Sequence, residues 1–333
     1  NKEVAIPAVK VADGVISTSE IVAQTVATAN VALGEDAFQR IIKEKHDANI
    51  MFLIQQANVR SSELKTAKAF QEEVKAIGEA ANKQITNIEI SAYASPDGSL
   101  DLNQGLAEKR QDATAKVVNK NLKKDKMEAN VDTKYTAEDW EGFQELVSKS
   151  NIQDKELILR VLSMYKEPEQ REQEIKNISS VYSDLADEIL PQLRRSRLTL
   201  NYEIIGKSDE EIANLADNNA KELSLEELLY AATLAKDAAK KEAIYTKATQ
   251  LFPNDYRAFN NLGKLAYEAG DMDKAENLLK KALTIKENPE ANMNLGLVAL
   301  AKGKAAEAES YLGKAAGNPE LNEALGNLYV AQG

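Results

Sequence analysis

The chain has 333 residues, 43% of them hydrophobic and 29% charged, which is apolar material enough for two or three ordinary domains. Its net charge of −11 excludes nucleic acid as a partner, because phosphate binding needs a local excess of Lys and Arg that no segment supplies. With no cysteine it excludes disulfides, thiolate metal sites and a cysteine nucleophile, and its single histidine, His46, in a charged segment argues against a zinc centre or a Ser-His-Asp triad.

Residues 1–48 are the least patterned part. Val, Ala, Ile and Thr around Pro7 and Asp13-Gly14 predict one or two short strands, then a helix over 19–32. His46 falls in Lys43-Glu44-Lys45-His46-Asp47, read as a solvated segment. The wholly apolar run Ile50-Met51-Phe52-Leu53-Ile54 predicts a buried strand. Leu64, Ala67, Phe70, Val74 and Ile77 then form one apolar stripe and predict a helix over 63–82. Residues 88–93 alternate with period two and end at Ser95-Pro96-Asp97-Gly98, a strong turn signal. A helix follows over 103–122 and a third strand over 129–135.

Helical material fills about 136–190, with Trp140, Phe143, Leu146 and Val147 on one stripe and Leu157, Ile158, Val161, Leu162 and Tyr165 on the next. Proline at 168 ends that second helix. Residues 197–204 alternate again and read as a closing strand. The order strand–helix–strand–helix–strand–(helical insertion)–strand argues for a compact α+β domain over 49–206. Gly206 and Ser208-Asp209-Glu210-Glu211 open an acidic linker, 207–221.

Beyond it the sequence repeats. Asn261-Leu262-Gly263 recurs as Asn294-Leu295-Gly296, and more loosely as Ala324-Leu325-Gly326. Both intervals fall in the range that marks stacked helical units. A second glycine follows each triplet at Gly270, Gly303 and Gly333. Small residues at Ala275, Ala282 and Ala308 let antiparallel helices approach, and the glycine closes the turn between them. One such hairpin cannot bury its own apolar face, so neighbours must stack into an all-α solenoid over 222–333.

These hairpins resemble the tetratricopeptide (TPR) family: Phe259 is the large apolar position, Leu262-Gly263 and Leu295-Gly296 the central pair, Gly270 and Gly303 the turn glycines, Ala275, Ala282 and Ala308 the small residues. The pattern departs at Ala266, where an aromatic is usual, and at Glu287, where proline is. The resemblance implies a groove for a protein partner that the sequence does not identify. It also implies that the array stops after one helix of its last repeat.

Ala92-Tyr93-Ala94-Ser95-Pro96-Asp97-Gly98, with Asn103, Leu106, Ala107 and Arg110 behind it, resembles the signature of OmpA-like C-terminal domains. That resemblance implies non-covalent binding of the diaminopimelate side chain of the peptidoglycan stem peptide, with Arg110 clamping a carboxylate beside Asn103 and with Arg197 from the closing strand. Bidentate pairing suits Arg to that role. The family's Asp aligns with Ser95, and Asp97 is the substitute two positions on. The family's first closing arginine aligns with Ser196. The Ser-Pro-Asp-Gly turn, Asp139-Trp140-Glu141-Gly142 and Leu193-Arg194-Arg195 resemble envelope proteins of Bacteroidetes-type bacteria. The implied setting is the periplasm, associated with the outer membrane or cell wall.

No apolar run approaches the roughly 18 residues of a membrane span. The chain begins at Asn1, as one whose leader has been removed would. The expectation is a non-enzymatic envelope scaffold with no catalytic residue, cofactor or metal. It binds peptidoglycan through one domain and protein through the other. The alternative is a pure adaptor whose OmpA-like domain has lost its ligand, which a pocket at 95–110 filled by Trp140 or Phe143 would favour.

Overall fold

The computed structural model describes residues 30–178 and 183–332. The chain divides into two compact units, Gln39–Gly206 and Lys207–Gly333 together with Asn1–Phe38. The strands expected near the N-terminus lie outside the described residues, as does most of the helix expected over 19–32. Its last three positions, Asn30, Val31 and Ala32, are not helical.

The unit 39–206 carries a four-stranded mixed sheet. Strands β1 (Ile41–Met51), β2 (Lys83–Tyr93), β3 (Val131–Thr136) and β4 (Arg195–Ile205) lie in the order β1-β4-β2-β3. β4 is antiparallel to both neighbours, and β2 and β3 are parallel. Helices α1 (Glu63–Glu79) and α2 (Leu100–Lys124) cover one face. There Ile50, Ile88, Ile90, Leu198 and Leu200 meet Phe70, Val74, Ile77, Val118 and Leu122 in one core. Each fully buried aliphatic contributes about 1.5–3 kcal/mol. Polar pairs across strands line the opposite face, among them Thr199–Asp47 at 2.6 Å and Asn201–Asn87 at 2.9 Å.

Two expectations are corrected here. β1 begins at Ile41, so the domain starts near residue 39 and not 49, and His46 is a strand residue. As an edge strand its residues 43–47 stay exposed, and their charges blunt the free edge while hiding the alternation. The strand also ends earlier than the apolar run. Leu53 and Ile54 are 46% and 56% exposed, in a turn where Gln55 has φ +55°.

The insertion forms α3 (Trp140–Lys149), α4 (Lys155–Met164), α5 (Pro168–Asn177) and a π turn, Leu185–Ile189, that runs into α6 (Leu190–Leu193). Phe143, Val147, Ile158, Leu162, Ile175 and Leu193 give it a core of its own. Pro168 opens α5 at its first turn, where its missing N–H costs nothing.

The second unit is helical: α7 (Asp209–Asn218), α8 (Leu225–Leu234), α9 (Ala238–Leu251), α10 (Tyr256–Glu268), α11 (Met272–Ile285), α12 (Pro289–Ala301), α13 (Ala305–Leu312) and α14 (Leu321–Gln332). The expected linker is therefore mostly helix. Ser208 and Glu211 cap α7 reciprocally, and Ile212 and Ala216 enter the repeat core.

The hairpins follow from short-range chemistry. Asp255, Asp271 and Asn288 cap α10, α11 and α12 with their side chains. Gly270 and Gly303, at φ +80° and +72°, end α10 and α12 in paired reverse bonds, Gly270 N–H to Tyr267 with Asp271 N–H to Ala266, and Gly303 to Leu300 with Lys304 to Ala299. A Cβ on Gly263 would lie 2.6 Å from Leu279, and one on Gly296 would lie 2.5 Å from Leu312, so both glycines set the closeness of the helix pair. A Cβ on Gly326 would meet nothing. The third copy is thus in register at Asn327-Leu328, one full repeat interval after Asn294-Leu295, and the triplet at 324–326 is a chance likeness. Ala258, Ala291 and Ala324 share one register and are all fully buried. Gly333 lies outside the described residues.

Candidate functional site

Two polar clusters sit where apolar contacts would be expected. The first contains most of the predicted ligand pocket. β2 ends at Tyr93, the chain turns through 95–98, and α2 starts at Leu100, which brings Ser95, Asp97, Asn103 and Arg110 into one neighbourhood. Asn103 donates to the Gly98 carbonyl at 3.0 Å and so braces the turn. Arg110 is fully buried. Its guanidinium donates to the carbonyls of Gln56 (2.9 Å), Tyr93 (2.9 Å) and Leu53 (3.2 Å), and it lies 5.2 Å from the Phe52 ring. Burial, and secondarily the Arg194 charge, push Arg110 down to about 10, against the pull of Asp97; it stays charged at neutral pH.

Asp97 has a partner of its own. Arg194 reaches Asp97 at 3.1 Å and Ser95 Oγ at 3.2 Å, and Ser95 donates to the other Asp97 oxygen. Arg197 is not in this cluster. Leu198 and Leu200 face the helices, so Arg197 projects from the opposite face, 6.0 Å from the Tyr93 ring. Arg195 shares that face, stacked 4.7 Å from Tyr93 and paired at 2.8 Å with Asp139, the cap of α3. A shallow cleft with a cavity volume of only about 10 Å³ lies beside the turn, between Pro96 and Asp97 and the insertion side chains Trp140, Phe143, Ile175 and Leu190. Its charged lining is Asp97 and Glu172, both acidic, and Arg110 is not part of it.

The second cluster lies on the first helices of the hairpins and was not anticipated. Residues 30–39 adopt no regular structure, so their backbone groups need partners from elsewhere. Asn294 supplies them at residue 32: its Oδ1 accepts from the Ala32 N–H at 2.7 Å and its Nδ2 donates to the Ala32 carbonyl at 2.8 Å. Asn261 does the same at residue 34, at 2.8 and 2.9 Å. Alternate residues thus present N–H and C=O to one side, as in an extended chain. Asn260 joins the two clamps, donating to the Ala32 carbonyl (3.2 Å) and to Asn261 (3.1 Å) while accepting from Asn294 (3.0 Å). All three asparagines are buried.

Charges and rings hold the far end of this strap. Arg257 donates to the Glu35 carbonyl at 3.2 Å and pairs with Glu226 at 2.6 Å. The other Glu226 oxygen accepts from the Ala37 N–H, and Phe38 stacks on Tyr230 with centroids 4.4 Å apart. The hydrogen bond from Arg257 holds the Glu226 carboxyl below its ordinary range. Val31 and Ala32 are buried in the repeat core. A Cβ on Gly34 would lie 3.0 Å from the Cβ and 3.1 Å from the Cα of Arg257, so a side chain there presses on the Arg257 backbone.

The predicted repeat residues behave differently. Leu262, Leu295, Ala275, Ala282 and Ala308 are buried in the repeat core and Phe259 is half-buried against it. The signal that marked the clamps was present: Asn261 and Asn294 both precede a Leu-Gly pair. It reads as part of the family signature, which is why it attracts no separate notice. Among the described residues no cluster of His, Asp or Glu is disposed to hold a metal, and no helix is long and apolar enough to cross a membrane.

The tetratricopeptide repeat family matches residues 229–288 and 275–322, which supports such repeats over that part of the helical unit. A crystal structure of a thermophilic TPR protein from Thermus thermophilus is similar at 17% identity and a TM-score of 0.30, covering 69% of this chain and 96% of its own. That likeness is too distant to bear on function. No curated protein matches significantly.

Proposed function

We propose that the chain is a non-enzymatic protein-interaction scaffold whose repeats hold an extended polypeptide by its backbone. The observation that carries this is the pair of two-point clamps, Asn261 on residue 34 and Asn294 on residue 32. A carboxamide has one acceptor and two donors, and so matches the N–H and C=O of one residue. Reading backbone leaves side-chain identity free wherever space allows. Amide hydrogen exchange tests it directly. The Ala32 and Gly34 amides should be protected in the full chain, and Asn261→Ala with Asn294→Ala should release both. Open-chain exchange of these amides in the wild type would remove the basis of the reading.

The α/β unit, on this reading, is an OmpA-like fold with its ligand pocket closed. Arg110 spends its donors on the carbonyls of Leu53, Gln56 and Tyr93, and Asp97 is engaged by Arg194. The hollow beside the turn abuts Trp140 and Phe143, and its lining among the described residues has no cation for a carboxylate ligand. A second reading keeps peptidoglycan binding. It is favoured by the convergence of Ser95, Asp97 and Asn103 at one turn, with Arg194 in place of Arg110 as the guanidinium that a zwitterion could reach. The periplasmic, cell-wall-associated setting belongs to this reading and rests on the resemblance of residues 92–110. Sedimentation with purified sacculi separates the two: retention of the wild type with loss in Arg194→Ala would restore the anchor, and a wild type that stays in the supernatant leaves the adaptor.

A further inference from the structure

Strand β1 has a partner on one side only. Its register against β4 runs unbroken from Ile41 to Met51, with no bulge and no proline. The ladder bonds fall on even-numbered residues. At one end the Gly206 N–H donates to the Arg40 carbonyl and at the other the Phe52 N–H donates to the Arg194 carbonyl, both at 2.7 Å. The odd-numbered residues of β1 therefore turn their N–H and C=O groups outward. Glu63 covers the last of them, accepting from the Met51 N–H at 2.9 Å. Among the described residues nothing bonds to the outward groups of Ile41, Lys43, Lys45, Asp47 and Asn49, and all of these residues are exposed.

A long free edge is a template for another strand unless bulges, prolines, a covering segment or repelling charges spoil it. Only charge guards this one, and the charge is balanced: Lys43 and Lys45 offset Glu44 and Asp47. Lys43, Glu44 and Lys45 have no ion pair of their own among the described residues. An arbitrary strand meets unmatched charges here. A second copy of the same strand, run antiparallel, meets their complement.

We propose that β1 pairs with the β1 of a second copy about a two-fold axis at Lys45, joining two sheets into one. The pairing spans 41–49, the stretch whose outward groups are free. Lys43 stands opposite the copy's Asp47 on the open face of the sheet, and Glu44 opposite its His46 on the helix face, each pair occurring twice by symmetry. Lys45 meets itself, with a carboxylate in the row on either side. Sliding one strand by two residues is worse in both directions. One slide sets Lys43 against Lys45 and Glu44 against Glu44; the other pairs Ile41 with Met51, whose N–H is taken by Glu63. A dimer so formed carries two repeat arrays, which would hold a partner with two segments bivalently.

The test uses the full chain. Sedimentation equilibrium from about 5 µM to 1 mM should pass from monomer to dimer, the range expected of a small interface. Lys43→Asp or Asp47→Lys alone should weaken the dimer about five- to thirtyfold, since each turns two opposed pairs into like charges. Carried together they restore opposed pairing, and the double variant should come back to within about threefold of the wild type. Lys45→Pro removes an outward N–H without touching the ladder to β4, and should leave the chain monomeric with its thermal unfolding nearly unchanged. Should that variant fail to fold, the charge series decides. Because the chain has no cysteine, Lys45→Cys gives a clean cross-link: opposed Cα atoms of such a pair lie about 5.5 Å apart, within disulfide reach. Oxidation should link Lys45→Cys chains into dimers faster than His46→Cys chains. A monomer over the whole range overturns the proposal, as does a dimer indifferent to Lys45→Pro, a double variant no better than the singles, or faster linking at 46.

Discussion

The pocket at 95–110 and the groove over the repeats are both built on buried polar side chains, yet they differ in where the partners come from. Arg110 is satisfied by Leu53, Gln56 and Tyr93, carbonyls of the loop and strand that its own helix packs on. Asn261 and Asn294 are satisfied by residues 227 and 262 positions away in sequence, on a segment without regular structure. A polar group bound to the frame of its own unit acts as a strut. One bound to a segment whose backbone groups are met by side chains and not by a helix or sheet ladder acts as a receptor. The same inventory of hydrogen bonds therefore assigns opposite roles to two sites, and the residue with the more familiar signature is the structural one.

The largest effect that would break this contrast is at Arg110. Replacing it with Met takes a donor from the carbonyls of Leu53, Gln56 and Tyr93, of which Leu53 keeps the Gln56 N–H, and Arg110→Met should destabilise the α/β unit by about 2–4 kcal/mol in denaturant unfolding. A loss below roughly 1 kcal/mol would mean that the guanidinium is a spare arm held for a ligand. Next in size is Asp139→Ala. It removes the α3 cap and leaves Arg195 buried beside Tyr93 without its carboxylate, for an expected loss of about 2–3 kcal/mol. A silent Asp139 would show that the insertion is docked by its apolar core alone.

The repeat register supplies a sharper, paired test. Gly263→Ala and Gly296→Ala each drive a methyl into a leucine and should cost about 1–3 kcal/mol by overpacking. Gly326→Ala meets open space and, within a helix, should be neutral or stabilising by up to about 1 kcal/mol. Three matching losses in thermal unfolding would mean that the third repeat is in register at the 324–326 triplet after all.

Periodic burial explains how much of this was legible in the sequence. The order of strands and helices in the α/β unit and the helical hairpins followed from alternation and glycine spacing, because those signals are imposed by burial on one face. β1 was read short because an edge strand buries little, and its residues 43–47 carry charges where a central strand would carry valines. Residues 207–221 looked like a linker because their acidic opening is also a good capping sequence for α7. The turn at 95–98 was located correctly, but which guanidinium meets Asp97 depends on the direction α2 and β4 approach it. Spacing alone cannot separate Arg110 from Arg194. The asparagine clamps were visible as letters and invisible as function, since their meaning lies in a partner segment far upstream in the chain.

The smallest expected effect concerns acid. Glu226 accepts from Arg257 and from the Ala37 N–H, and the hydrogen bond from Arg257 keeps its carboxyl below the ordinary value, against the cost of partial burial. A carboxyl depressed in the folded state stabilises that state above its unfolded pKa of about 4.3, and the contribution is lost as pH falls through the lower folded value. Acidification should therefore loosen the strap at its Glu35–Phe38 end, with a falling protection factor at the Ala37 amide, while the clamps at Ala32 and Gly34, which contain no titratable group, hold. Glu226→Gln should bring the Ala37 protection factor at neutral pH toward its acid value and make it insensitive to pH in that range. If Ala32 and Gly34 opened together with Ala37 in acid, the strap would be a single cooperative piece anchored by charge, and the backbone clamps would be followers of the Arg257–Glu226 pair.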